Sequence, residues 1–208
     1  MGGAGGMPLP EFCECQHPLV QALQEQTDWE LLRQFQAEPH QGRAFVALFC
    51  RYALLIYALV SHGAPTGLQV DYLFATTWRY LYQQLRDLSP SPEMTSLQSW
   101  LVDRTGDWLS QVDVPPPEQI RYRLSAASPP LWCYLEEALN QLPTPLRTAI
   151  VLKTVGGWSE EEIGRELELP PEQVTALIPR GQDELMAHLP ADIWSIYLEE
   201  QPRPEVTP

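Results

Sequence analysis

Positive charge is scarce in this chain. Its 208 residues include 27 Asp and Glu against 13 Lys and Arg, and Lys153 is the single lysine. The net charge of −14 opposes free-standing affinity for a phosphate backbone, which draws on basic contacts and released counterions. Contact with DNA would therefore need a second molecule to supply the cations. Cysteine is scarce too, with Cys13, Cys15, Cys50 and Cys133 alone, which is no disulfide framework for a chain of this length. Cys50 lies in an apolar run and Cys133 between Trp132 and Tyr134, so both read as small buried hydrophobes. A phosphate-cradling glycine loop, a nucleophile–base arrangement and a paired-carboxylate motif are all missing. No enzyme is expected, and no cofactor or metal is implied. The first ten residues lack the charged start and apolar core of a signal peptide. The longest apolar run, Ala44 to Val60, is short for a membrane span and carries Arg51 near its middle. It predicts a buried bundle helix in a cytoplasmic protein, with no membrane insertion.

What the chain has in quantity is aromatic surface and proline. Seven Trp, eight Tyr and five Phe can fill a core, and 21 Pro punctuate the chain into helices. Residues 1–17 read as a flexible tail. Thr27 and Asp28 cap a helix carrying Trp29, Leu31, Leu32 and Phe35, which Pro39 ends. A central helix follows from about Gln41 to Val60, apolar nearly all round. After a loop at 61–67, a third helix runs to Leu88, with Leu81, Leu85 and Leu88 in line beneath Trp78. A fourth carries Leu97, Trp100, Leu101, Trp108 and Leu109. Residues 113–130, marked by Pro115-Pro-Pro117 and Pro129-Pro130, read as a linker with room for a short helix over Glu118–Leu124.

The second half repeats the helical grammar on a smaller scale. Leu131–Leu142 is amphipathic; Thr144 and Pro145 open the next helix and Gly156-Gly157 close it. Ser159-x-x-Glu162 is a capping box for a helix with Ile163 and Leu167. After Glu168-Leu169, Pro170-Pro171 opens a helix with Val174, Leu177 and Ile178. Two short helices joined by a tight turn make a helix-turn-helix. The fold class is therefore all-α: a helical domain over 18–112, the linker 113–130, a helix-turn-helix domain over 131–190, and a C-terminal helix and acidic Pro-rich tail over 191–208. Pro179 should kink or stop the last helix of the motif before Arg180, at a cost of about 3 kcal/mol, with Gly181 adding flexibility.

These residues resemble a known family. Leu139-Asn-Gln-Leu-Pro143, Leu146-Arg147, Ile150-Val-Leu152, Gly157-Trp-Ser-Glu-Glu-Glu-Ile163 and Leu167-Glu-Leu169 resemble region four of the small, extracytoplasmic-function type of sigma-70 factor. Ala44-Phe45, Leu48-Phe49, Arg51-Tyr52, Asp71-Tyr-Leu73, Trp78 and Trp100-Leu101 resemble region two of the same family. The resemblance implies an all-α fold, core RNA polymerase and promoter DNA as partners, and a role at transcription initiation. It places Arg79, Arg86, Trp100, Arg104, Gln173, Thr175, Arg180 and Gln182 toward DNA. Asp71 and Tyr72 fall where the family docks on the polymerase, and Trp194 and Tyr197 belong to an added helix that can meet an anti-sigma or other protein.

The chain departs from the family on its working surfaces. Tyr72, Ala75 and Thr76 stand where polar and acidic docking residues are usual, and Asp103 and Asp107 follow Trp100-Leu101 in place of basic residues. Between Leu139 and Leu189, eight acidic residues face four basic ones, whereas a groove reader uses several cations on phosphates. Promoter binding should be weak or dependent on the polymerase. Two readings stay open: a divergent sigma factor, or a sigma-like fold turned adaptor that leaves DNA alone. Two smaller questions also remain. Trp78, Arg79, Tyr80, Tyr82 and Arg86 either stack unpaired bases or pack with Leu81 and Leu85, the core being the expected place of Trp78. Cys13-x-Cys15-x-His17 offers three soft ligands without a fourth, or a redox switch.

Overall fold

The computed structural model describes residues 9–38, 40–62, 66–90, 94–125 and 127–199, all helix, turn or loop with no strand among them. Two compact units emerge: one comprises residues 1–133 together with 191–208, the other residues 134–190. Pro39 lies outside the described residues.

In the first unit, a 3-10 turn at Cys13–Gln16 leads into α1 (Pro18–Gln21) and α2 (Asp28–Ala37). The start of α2 follows from its sequence. Thr27 accepts the Glu30 N–H, and the Glu30 carboxylate accepts the Thr27 N–H at 2.7 Å, a reciprocal capping box. Helix α3 (Arg43–Ser61) is the core of this unit. Its length and composition match those of a membrane-crossing helix, yet eleven of its residues, from Ala44 to Val60, are buried inside the unit. Arg51, the charge in its middle, pairs with Asp28 at 2.8 Å and donates to the Gln24 carbonyl at 2.9 Å. Helices α4 (Gly67–Arg86) and α5 (Leu97–Leu109) complete the bundle. Phe35, Phe45, Phe49, Phe74, Trp78 and Tyr82 interlock in tilted and edge-on pairs, with centroids from 4.7 to 6.5 Å apart. Such pairs contribute roughly 0.5–1.5 kcal/mol each beyond burial. The linker expectation of a helix over Glu118–Leu124 is not met: only Pro117–Gln119 forms a 3-10 turn, and Ile120 is buried without helix around it.

Three further expectations for this unit change. Residues 9–17 are no tail, because Phe12 packs on Phe49 and Phe74 (5.0 and 5.7 Å) and Cys15 is joined to Cys50 by a disulfide; residues 1–8 lie outside the described residues. Cys50 is thus a cross-link and no simple hydrophobe, while Cys133 is buried and outside that disulfide. Cys15 is committed to that bond and His17 Nδ1 accepts the Leu19 N–H at 3.3 Å, so Cys13, Cys15 and His17 are not a ligand set. The C-terminal helix also joins this unit. Helix α3 has Gly42 at its N-cap and no side-chain cap of its own. Asp192, at the start of the C-terminal helix, supplies the missing acceptor. Its two carboxylate oxygens take the N–H groups of Gly42 and Arg43 at 2.9 and 2.8 Å, where negative charge also suits the helix dipole.

Helix α6 (Pro129–Gln141) contains the boundary between the units. The second unit continues with α7 (Thr144–Thr154), α8 (Glu160–Leu167) and α9 (Pro171–His188). The chain ends its described part with α10 (Ala191–Tyr197), the helix that carries Asp192. Helix α7 begins one residue earlier than expected, with Pro143 at the cap and Thr144 inside.

Candidate nucleic-acid interface

The second unit builds its motif from local signals. Ser159 and Glu162 close a capping box at the start of α8, with the Ser159 N–H on the Glu162 carboxylate at 2.8 Å. Those hydrogen bonds hold the Glu162 carboxyl below its ordinary pKa. Helix α8 stops at Glu168, whose φ of 54° is left-handed and which satisfies a helix end in the manner usual for glycine. Gly164 is required by the turn: a Cβ there would lie 2.7 Å from the Leu169 carbonyl oxygen. Ala149, Ile163, Val174 and Ile178 form the buried centre, with Leu152, Leu167 and Leu169 around it.

Helix α9 does not stop at Pro179. It runs unbroken from Pro171 to His188, and the correction has a packing cause. Val174 and Ile178 are buried before the proline, and Gly181 and Leu185 after it. Gly181 is a close approach, since a Cβ there would meet Ile150 Cδ1 at 2.8 Å. The proline itself is exposed, so packing on both sides outweighs the hydrogen bond it removes.

The four residues expected to read bases on α9, namely Gln173, Thr175, Arg180 and Gln182, are all exposed. At about 100° per residue they fall into two stripes, Gln173 with Arg180 and Thr175 with Gln182. Ala176, Pro179 and Asp183 lie between the stripes. Two of the four are also engaged with neighbouring groups. Thr175 Oγ1 bonds to Glu160 and lies 3.0 Å from the Pro171 carbonyl, and Arg180 pairs with Glu184 at 3.0 Å. Lys153 sits 3.9 Å from Glu160.

The first unit's candidates divide similarly. Trp78 and Tyr82 are core residues, fully buried, which decides against Trp78 as a stacking surface. Arg79 and Arg86 are exposed on α4; the guanidinium of Arg79 lies 5.7 Å above Trp132 and that of Arg86 5.8 Å above Tyr82. Tyr80 stacks on Trp108 at 4.9 Å. That pair, with Tyr72, Thr76 and Arg79, lines an open cleft of about 280 Å³. Trp108 is not among the sequence candidates, because its spacing on α5 reads equally well as core. Trp100 is half-buried, and Arg104 pairs with Asp107 at 2.8 Å. Asp71 is half-buried and accepts from Tyr57 at 3.5 Å, and burial raises its carboxyl above the ordinary range. Trp194 is exposed, whereas Tyr197 points its hydroxyl at Glu14 Oε1, 3.3 Å away. Burial beside that carboxylate pushes the phenol well above its usual pKa.

Residues 134–181 match the family model for sigma-70, region 4. The second unit carries a sigma-70 region 4 module. The match covers most of the second unit, and a search of curated proteins finds no match. The match supports a role in transcription initiation for the helix-turn-helix of the second unit. In it, α8 and the Gly164 turn set the angle at which α9 presents its outer face.

Proposed function

We propose that this is a divergent, small sigma factor of the extracytoplasmic-function type that directs core RNA polymerase to promoters from the cytoplasm, with no catalysis of its own. The observation that carries this reading is the region 4 match on a helix-turn-helix whose outer face displays Gln173, Thr175, Arg180 and Gln182. Protein contacts supply the affinity, because the chain's own charge opposes it. Arg79, Arg86, Trp100 and Arg104 of the first unit then act on the opened strand, and the Tyr80–Trp108 cleft offers an aromatic wall for an unpaired base. Asp71 and Tyr72 serve the polymerase side. Trp194 serves an anti-sigma or other protein partner; Tyr197 acts there only through the packing of α10.

A second reading has its own support. Arg104 and Arg180 are each paired with an adjacent carboxylate, as expected of an adaptor that meets proteins and leaves DNA alone. Arg104→Glu and Arg180→Glu, tested in run-off transcription with core polymerase, separate the two. The sigma reading expects promoter-directed transcripts to be lost in both variants. Unchanged transcripts in both, with loss on Trp194→Ala, would favour the adaptor.

A further inference from the structure

The Cys15–Cys50 disulfide joins the Cys13–Gln16 turn to the middle of α3 across a sequence separation of 35. Both residues are half-buried, and both line an open cleft of about 370 Å³ whose walls include Gln21, Gln24 and Arg51. A cleft of that volume is within the range that takes a small molecule. Exchange requires a thiolate to reach one of the two sulfurs, and this bond lies on a cavity wall. In the cytoplasm proposed above, a disulfide in an ordinary protein is typically transient, catalytic or redox-sensing.

The turn held by this bond also organises its surroundings. Glu14, between the two cysteines Cys13 and Cys15, is 4% exposed. Its Oε1 accepts from Ser128 just before α6 and from the Tyr197 hydroxyl of α10 at 3.3 Å. The Cys15 carbonyl accepts from Gln21 at 2.6 Å. Through Glu14, the cross-link on α3 bears on whether α10 stays seated, and with it the Asp192 cap on the N-terminus of α3.

We propose that Cys15 and Cys50 form a thiol–disulfide switch whose cleft admits a small thiol of the glutathione class, and that its reduction loosens residues 9–17 and, through Glu14, helix α10. The chemistry balances with glutathione alone. One glutathione thiolate attacks a sulfur of the pair, the protein S–S bond breaks, and the departing cysteine thiolate takes a proton. A second glutathione thiolate attacks the mixed disulfide, leaving as glutathione disulfide and freeing the other cysteine, which is protonated in turn. Two electrons reach the protein, and two glutathione thiols become one disulfide.

The test uses the full chain, equilibrated in buffers of reduced and oxidised glutathione at graded ratios, then denatured, alkylated and weighed. Two alkylated cysteines, Cys13 and Cys133, are expected at the oxidising end, and four at the reducing end, with the midpoint inside the glutathione range. Hydrogen exchange should rise several-fold over residues 9–17 and 191–199 on reduction, and stay unchanged over 160–188. Cys15→Ser without reductant should reproduce the reduced pattern, and Cys13→Ser should titrate as the parent does. A pair that stays oxidised at every glutathione ratio is a structural cross-link, and that result overturns the switch, as does a pair that never forms. Opening without any change over 191–199 overturns the link through Glu14. Every one of these readouts is independent of polymerase, so a failed sigma reading leaves the switch to stand or fall separately.

Discussion

The two units reach stability by different routes. The first buries a network of large rings, with Phe35, Phe45, Phe49, Phe74, Trp78 and Tyr82 almost wholly enclosed. It also ties distant chain segments together through Cys15–Cys50, Glu14 and Asp192. The second has a small aliphatic centre of Ala149, Ile163, Val174 and Ile178 and relies on caps, a left-handed Glu168 and the close-approach glycines Gly156, Gly164 and Gly181. A unit specified by short-range rules keeps its pattern in the sequence. A unit specified by long-range packing can vary its residues while holding its shape, and here the family match falls on the short-range unit.

The comparison is broken most forcefully in the aromatic core. Trp78→Ala should cost the first unit about 3–5 kcal/mol and should leave the amides of α8 and α9 protected, as hydrogen exchange resolved by segment would show. Simultaneous loss of protection in both would mean that the two cores are one cooperative body. Next in size is the cross-link. Cys15→Ser, compared with the oxidised parent in denaturant titration, should lower stability by about 3–4 kcal/mol, because a loop of this length would no longer be closed in the unfolded chain. In the second unit, Gly181→Ala forces a Cβ against Ile150 and should cost about 1–3 kcal/mol. An unaffected melting curve there would mean that α9 is free to shift.

The smallest effects sharpen the contrast. A capping box opens one helix in each unit, at Thr27–Glu30 in the first and at Ser159–Glu162 in the second. Ser159→Ala should cost about 1 kcal/mol and should be felt across α8, where only Ile163 and Gly164 are buried. Thr27→Ala should be better tolerated, because Leu31, Leu32 and Phe35 anchor α2. Both glutamates have folded pKa values lowered by these bonds. Their contribution is therefore present above the unfolded glutamate pKa and is lost as pH falls through the folded one. Amide shifts of Thr27 and Ser159 followed through an acid titration would show it, and shifts that stay flat would remove the boxes from the account.

What the sequence made legible follows the same division. The caps, the helix order and the helix-turn-helix could be read because each depends on residues three or four apart. The Cys15–Cys50 bond could not, since pairing among cysteines is not encoded by their spacing. Nor could the Asp192 cap on α3, whose donors lie 150 and 149 residues away. Pro179 misled for a related reason: its local cost is real, but Gly181 and Leu185 hold the helix beyond it. On the candidate interface, the α9 residues Gln173, Thr175, Arg180 and Gln182 are exposed. The carboxylates that pair with Arg104 and Arg180 were visible at spacings of three and four, yet whether such neighbours actually meet is decided by rotamers.

The most direct test of the central claim is a pull-down of the purified chain with core RNA polymerase, followed by run-off transcription on genomic fragments. The account predicts a stable complex that starts transcripts from specific sites despite the acidic surface. Failure to bind the polymerase would contradict it and leave a sigma-70 fold serving another partner.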